Sequence, residues 1–218
     1  IRAAQGAYTL QVPFNLEGDD AMHRLTAGLL GLILTGACAA ADTPFDVEVV
    51  QQLDEPWSLV FLPDGRLLVT EKKGELLLLS QDGSTSRRVE GVPEVDYGGQ
   101  GGLGDIALHP AFADNRVVYL SYAEAGAGDT RGAAVARGVL DLSGAQPALA
   151  ALEVIWRQYP KVMGRGHYGH RLLFDSAGYL WVSSGDRQKF TPAQDMQSNV
   201  GKILRLHDDG SIPSDNPF

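Results

Sequence analysis

The sequence lacks most of what would cross-link the chain, anchor it or bind it to nucleic acid. It contains one cysteine, Cys38, so no disulfide can form within the chain and no thiolate metal cluster can be built. The formal net charge is −9 and no block rich in Lys or Arg occurs. A basic face that neutralises phosphates is therefore excluded, and we expect no nucleic-acid partner and no charge-driven binding to anionic membranes.

The sequence also lacks an apolar run long enough to span a bilayer. The mostly apolar residues 25–34 are too short for that, but they follow Met22-His23-Arg24 and precede a series of small residues. This order is typical of a secretory signal, so residues 22–41 are predicted to direct export to the periplasm or out of the cell. The alternative is a buried helix of the mature domain.

Residues 34–38 loosely resemble a bacterial lipoprotein cleavage box, in which Cys38 would become the lipidated N-terminus. That anchor is the one membrane contact we expect. The chain opens with Ile1, although a signal should lie near its start, so residues 1–21 are interpreted as upstream, non-native sequence. Residues 42–218 then form the mature part.

A long 3.6-residue apolar period is absent too, which predicts little helix. Apolar residues make up 44% of the chain, enough for a packed core, and 26 glycines indicate many turns. Pairs such as Asp64-Gly65, Asp82-Gly83 and Asp209-Gly210 separate short apolar segments. Such pairs favour tight hairpins, and repeated short hairpins are typical of β-propeller blades. A β-sandwich is the alternative.

Two loops between these segments carry residues suited to chemistry. The first, residues 98–105, is rich in glycine and has Gln100 as its longest polar side chain, but it lacks the Lys-Ser/Thr ending of a phosphate loop. The second, residues 164–172, contains His167 and His170. A histidine flanked by glycines at the mouth of a propeller suits a general base, whereas a zinc site lacks a third ligand here. The alternatives are a flexible surface turn and a hydrogen-bonded loop histidine.

Six segments stand in order along residues 53–218: 56–59 (PWSL), 98–105 (GGQGGLGD), 109–112 (HPAF), 166–172 (GHYGHRL), 185–186 (GD) and 201–217 (GKILRLHDDGSIPSDNP). Together they resemble the glucose/sorbosone dehydrogenase family, the soluble quinoprotein aldose dehydrogenases. The resemblance implies an all-β fold, here the first two to three blades of a six-bladed β-propeller. It implies pyrroloquinoline quinone (PQQ) over the axial mouth, with calcium beside the quinone.

In such enzymes a histidine shortly before an Arg-Leu pair removes the proton of the sugar's anomeric hydroxyl, and hydride passes to the quinone to give a lactone. By resemblance, His167 is the catalytic base and Arg171-Leu172 the trailing pair. Gln100, His170 and Arg171 are predicted to contact substrate or cofactor. An external electron acceptor would reoxidise the cofactor.

Two departures from the family pattern stand out. Gly166 stands where an Asp or Asn commonly precedes the base, so a partner for the imidazole must come from elsewhere in the chain. His170 stands where glycine is common and could compete with His167 as base. The calcium ligands and the cations that pair with the cofactor's carboxylates are expected beyond Phe218, so the chain is interpreted as an N-terminal fragment, inactive alone. A non-catalytic secreted binding module and a calcium-dependent lactone hydrolase are the alternative functions.

Overall fold

The computed structural model describes residues 45–217, in which three antiparallel sheets follow one another along the chain. The predicted signal at residues 22–41, with Cys38, lies outside the described residues, as does the segment 1–21. The first sheet has four strands: β1 (Pro56–Phe61), β2 (Leu67–Glu71), β3 (Glu75–Leu79) and β4 (Ser86–Arg88). The second has four: β5 (Leu103–Leu108), β6 (Val117–Ala125), β7 (Arg131–Asp141) and β8 (Ala148–Arg157). The third has three: β9 (Gly169–Phe174), β10 (Leu180–Ser184) and β11 (Lys202–Leu206).

Within each sheet the strands pair in chain order, so neighbours in sequence are neighbours in space. Most connections are short, and the longest, residues 185–201, joins β10 to β11. The turn between β1 and β2 places Gly65 at φ +86°, and the equivalent turn between β9 and β10 places Gly178 at the same angle. Glycine adopts this left-handed region without the steric penalty that a Cβ atom brings. The Asp-Gly and Ala-Gly turns therefore set the hairpin register, as in the pairing of Phe61 with Leu67 across β1 and β2.

The second sheet is packed on both of its faces. Leu68 and Leu76 of the first sheet are fully buried against Leu120 of the second. On the opposite face, Val135 packs with Leu180 of the third sheet. A β-sandwich has two layers, whereas here the middle layer has a neighbour on each side, so the sandwich alternative is wrong.

The first strands of the three sheets lie side by side, because β5 contacts both β1 and β9. The buried carboxylate of Asp105 on β5 joins them. It accepts hydrogen bonds from the hydroxyl of Ser58 on β1 (2.5 Å) and from the backbone N–H of Leu172 on β9 (2.9 Å). The Asp105 side chain thus links all three sheets through β1, β5 and β9, which we call the inner strands.

Helix is scarce in residues 45–217, as the sequence predicts: the structure has one short α-helix, α1 (Phe112–Asn115), and one 3-10 turn, Thr191–Gln194. In this part of the chain no helix has both the length and the apolar character needed to cross a membrane. The three sheets belong to one compact unit that begins at Val47.

Candidate active site

Three loops meet at one end of the sheets. They are the glycine-rich loop before β5, the segment before β9 and the loop that follows β10. The backbone N–H of Gln100 donates to the carbonyl of Arg165 (2.8 Å), and that of Arg187 donates to the carbonyl of His167 (3.1 Å). A Cβ atom at Gly99, where φ is +58°, would lie 2.6 Å from the carbonyl oxygen of Arg165, so the close approach of the first two loops requires glycine there.

His167 is held by these loops at both its backbone and its ring. Its backbone N–H donates to Oε1 of Gln100 (2.7 Å), and its ring Nδ1 lies 2.7 Å from Oδ1 of Asp186. A carboxylate accepts, so the neutral ring carries its proton on Nδ1 and leaves the Nε2 lone pair available. The His167 side chain is 46% exposed, which gives the ring access to a ligand at this end.

Asp186 is the orienting partner that the sequence analysis did not assign. The backbone N–H of Gln188 donates to Asp186 Oδ1 (3.0 Å). This hydrogen bond, followed by the one to His167, lowers the pKa of the Asp186 carboxyl below its ordinary value. The carboxylate is therefore ionised at neutral pH and can stabilise an imidazolium at His167. The Gly185-Asp186 pair directly after β10 was the available signal, since β10 ends beside the start of β9.

His170 lies in a different environment from His167, although only three positions separate them. Its ring is 3% exposed, stacks on Tyr168 (centroids 5.3 Å apart) and meets Trp57 edge to face. Neither ring nitrogen has a hydrogen-bond partner among the described residues. Burial, and secondarily the charge of Arg187, lowers the pKa of His170 to about 4. This geometry favours His167 over His170 as base; the contact of His170 with a ligand stays a prediction.

Arg171 points towards the inner strands. Its guanidinium lies over the ring of Trp57, 4.8 Å from the centroid, and Nη1 is 3.3 Å from Oδ1 of Asp105. No hydrogen bond joins its side chain to His167 or Gln100 within the described part of the chain. The structure thus brings His167, Gln100 and Asp186 together, and the role of Arg171 towards a ligand stays a prediction.

Residues 45–217 contain no group of three or more His, Cys, Asp or Glu side chains placed to hold a metal ion. The polar groups at the end of the sheets where the three loops meet are instead an imidazole, its carboxylate partner and an amide. That set is suited to moving a proton and to orienting a polar ligand.

Comparison with known proteins agrees with this geometry. The family model for Glucose / Sorbosone dehydrogenase matches residues 53–218. Aldose sugar dehydrogenase YliI of Escherichia coli is 43% identical over 202 residues, which cover 90% of this chain and 53% of the relative. The chain therefore spans about half the length of this curated relative.

Solved structures show the same correspondence. The crystal structure of the soluble aldose sugar dehydrogenase from Escherichia coli in the apo form matches with a TM-score of 0.76 and 41% identity, over 79% of this chain and 50% of that one. The PQQ-bound form of the aldose sugar dehydrogenase from Streptomyces coelicolor matches with a TM-score of 0.68 and 32% identity, over 78% and 49%. The predicted all-β, partial β-propeller fold is confirmed, and the chain belongs to the glucose/sorbosone dehydrogenase family.

Proposed function

We propose that this chain supplies the base-bearing blades of an exported quinoprotein that oxidises the anomeric carbon of aldose sugars to lactones. The observation that carries the proposal is the His167–Asp186 pair, which stands half-exposed beside Gln100 at one end of the sheets. Relatives that share this family are named aldose sugar dehydrogenases, and one of them is described in its PQQ-bound form. Export rests on the predicted signal at residues 22–41.

The chemistry that this chain contributes is a proton transfer. Nε2 of His167 takes the proton of the anomeric hydroxyl while the hydrogen of the anomeric C–H bond leaves as hydride with the bonding electron pair, so the product is a lactone. Asp186 holds Nδ1–H and stabilises the imidazolium that forms, and general-base catalysis of this kind contributes about 10²–10⁴-fold in rate. PQQ, when bound, supplies the hydride acceptor.

The residues present fit one part of that cofactor site. The imidazole of His167 and the amide of Gln100 are polar groups that can face a substrate hydroxyl and a quinone. The cations that would pair with the three carboxylates of PQQ, and the oxygen ligands of calcium, are proposed to lie in blades beyond Phe218. By this proposal the chain is the N-terminal part of the enzyme and does not turn over alone.

The test is the His167→Ala substitution in the complete protein supplied with PQQ and calcium. Dye reduction with an aldose should fall by about 10²-fold or more with the fold retained, because the base is lost. Asp186→Asn should also reduce kcat, because the ring loses the partner that fixes its tautomer. His207→Ala is the matched control, since His207 lies in the turn after β11 and contacts Tyr179.

Full activity of the His167→Ala protein would overturn the assignment of the base. Sugar binding by the wild-type protein without any quinone-dependent oxidation would favour the alternative, a non-catalytic secreted binding module. A calcium-dependent lactone hydrolase would instead release acid from a lactone without reducing the dye.

A further inference from the structure

Arg187 is buried without an acidic partner. Its side chain is 1% exposed, and no described carboxylate lies within 4.0 Å of its guanidinium. Burial lowers the pKa of Arg187 below its ordinary value, which reflects the cost of removing this charge from water. A buried cation of this kind is retained only where its hydrogen bonds are satisfied by other groups.

Backbone carbonyls satisfy this guanidinium. Nε donates to the carbonyl of Gly166 (2.8 Å) and Nη1 to that of Arg131 (2.6 Å), while Nη2 donates to that of Gly164. The guanidinium carbon also lies 3.7 Å from the centroid of the Tyr168 ring, a close cation–π contact. A single side chain therefore ties the start of β7 to the segment that precedes β9.

The residues held in this way flank the base. Gly166 precedes His167 and Tyr168 follows it, and the backbone N–H of Arg187 donates to the carbonyl of His167. Both His167 (φ +49°) and Arg187 (φ +55°) adopt the left-handed region, which costs non-glycine residues about 1–3 kcal/mol and persists only where the surroundings enforce it. The contacts of Arg187 with the carbonyls of Gly164 and Gly166 restrain the chain directly before His167.

We propose that Arg187 is a positioning residue for the base. Asp186 orients the ring of His167, and Arg187 holds the backbone of the segment that contains His167. The catalytic consequence rests on the function proposed above, whereas the geometric consequence does not. If Arg187 merely stabilised the fold, its loss would lower the free energy of unfolding and leave the His167–Asp186 contact intact.

The test uses Arg187→Met, which keeps an apolar stem but donates nothing, and Arg187→Lys, whose one nitrogen cannot occupy the separate positions of Nε, Nη1 and Nη2. Ring ¹⁵N NMR of the 218-residue chain measures the tautomer of His167. We expect Nδ1–H in the wild type and a mixture of tautomers in both variants. In the complete enzyme we expect kcat to fall on the order of 10- to 100-fold, as misplacement of a catalytic group by about 1 Å does, with KM for the sugar little changed.

Arg137→Met is the matched control. Arg137 lies in β7, pairs with Glu153 and donates to the carbonyl of Asp208, remote from the base. It should lower stability without altering the His167 tautomer or kcat.

A folded Arg187→Lys or Arg187→Met protein with the wild-type tautomer and the wild-type kcat would overturn the inference. If Arg187→Met does not fold, Arg187→Lys decides. Should the wild-type enzyme oxidise no sugar, the proposed function fails, and the tautomer measurement still decides whether Arg187 positions the imidazole.

Discussion

At the scale of single residues, the two histidines of the segment before and within β9 show how burial separates groups of identical chemistry. His167 faces solvent with a carboxylate on Nδ1, and His170 lies between Tyr168 and Trp57 without a hydrogen-bond partner among the described residues. The first arrangement supports proton transfer, and the second favours a ring that stays neutral. The difference has a measurable consequence for stability.

We expect His170 to make the stability of the chain depend on pH. Its folded pKa of about 4 lies below the ordinary 6.5, so between these values the unfolded chain takes up a proton that the native chain does not. The free energy of unfolding is therefore fully retained above about pH 6.5 and falls as the pH drops towards 4, by up to about 3 kcal/mol.

Urea denaturation between pH 4 and pH 7 measures this dependence, with His170→Phe as the comparison, because phenylalanine fills similar space and does not titrate. The free energy of unfolding should depend less steeply on pH in the His170→Phe variant than in the wild type. Parallel curves for the two proteins would show that His170 is not the group responsible.

The sequence predicted part of this site. His167 and Gln100 stand in glycine-rich loops, and the resemblance to the family suggested their roles; the structure joins them by a hydrogen bond. The Gly185-Asp186 pair marked Asp186 in the sequence, but its contact with His167 was not predicted, since it depends on the pairing of β9 with β10 and not on spacing. The burial of His170 was equally hidden, because it depends on the close packing of its ring against Gly104.

At the scale of elements, the inner strands depend on one buried carboxylate. Asp105 of β5 accepts from Ser58 of β1 and from the backbone N–H of Leu172 on β9. Replacing it with alanine leaves a hydroxyl and a buried N–H without an acceptor, which costs about 1–3 kcal/mol for each group.

We therefore expect Asp105→Ala to lower the free energy of unfolding by about 3 kcal/mol, as measured by urea denaturation. Asp64→Ala is the control, because Asp64 pairs with Arg66 on an exposed turn, where an ion pair contributes less than about 1 kcal/mol. Equal losses in the two variants would contradict the linking role of Asp105.

The hairpins could be predicted from the sequence, whereas the strand at the edge of the first sheet could not. The Asp-Gly pairs found in the sequence do bound strands: Asp64-Gly65 precedes β2, Asp82-Gly83 follows β3 and Asp209-Gly210 follows β11. By contrast, β4 is only Ser86–Arg88, an exposed polar segment with no apolar alternation. The start of β7 at Arg131 could not be predicted either, because Gly132, Ala133 and Ala134 have low strand propensity and are part of the strand only through their burial in the fold.

At the scale of the whole molecule, the outer face of the third sheet carries exposed apolar side chains. Leu173 and Ile203 are 65% and 69% exposed, while Leu172 and Leu206 on the other face pack against the second sheet. Both exposed side chains lie on the same face, with β10 between them, and exposed apolar surface promotes association in water.

We expect the 218-residue chain to self-associate with rising concentration and to bind an apolar dye, both measurable by sedimentation velocity and fluorescence. The double substitution Leu173→Lys with Ile203→Lys should reduce both effects, and Ser176→Lys, in the exposed turn between β9 and β10, should not. The same association in all three proteins would show that this face is not the cause.

The place of the His167–Asp186 pair in the chain has a consequence for the order of assembly. The two residues are 19 positions apart and directly flank the hairpin of β9 and β10, whereas Gln100 lies 67 positions before His167. Contacts of short sequence separation form early, and synthesis proceeds from the N-terminus. We therefore expect the imidazole, its carboxylate and its amide to come together within this part of the chain, without a contribution from any residue that follows β11.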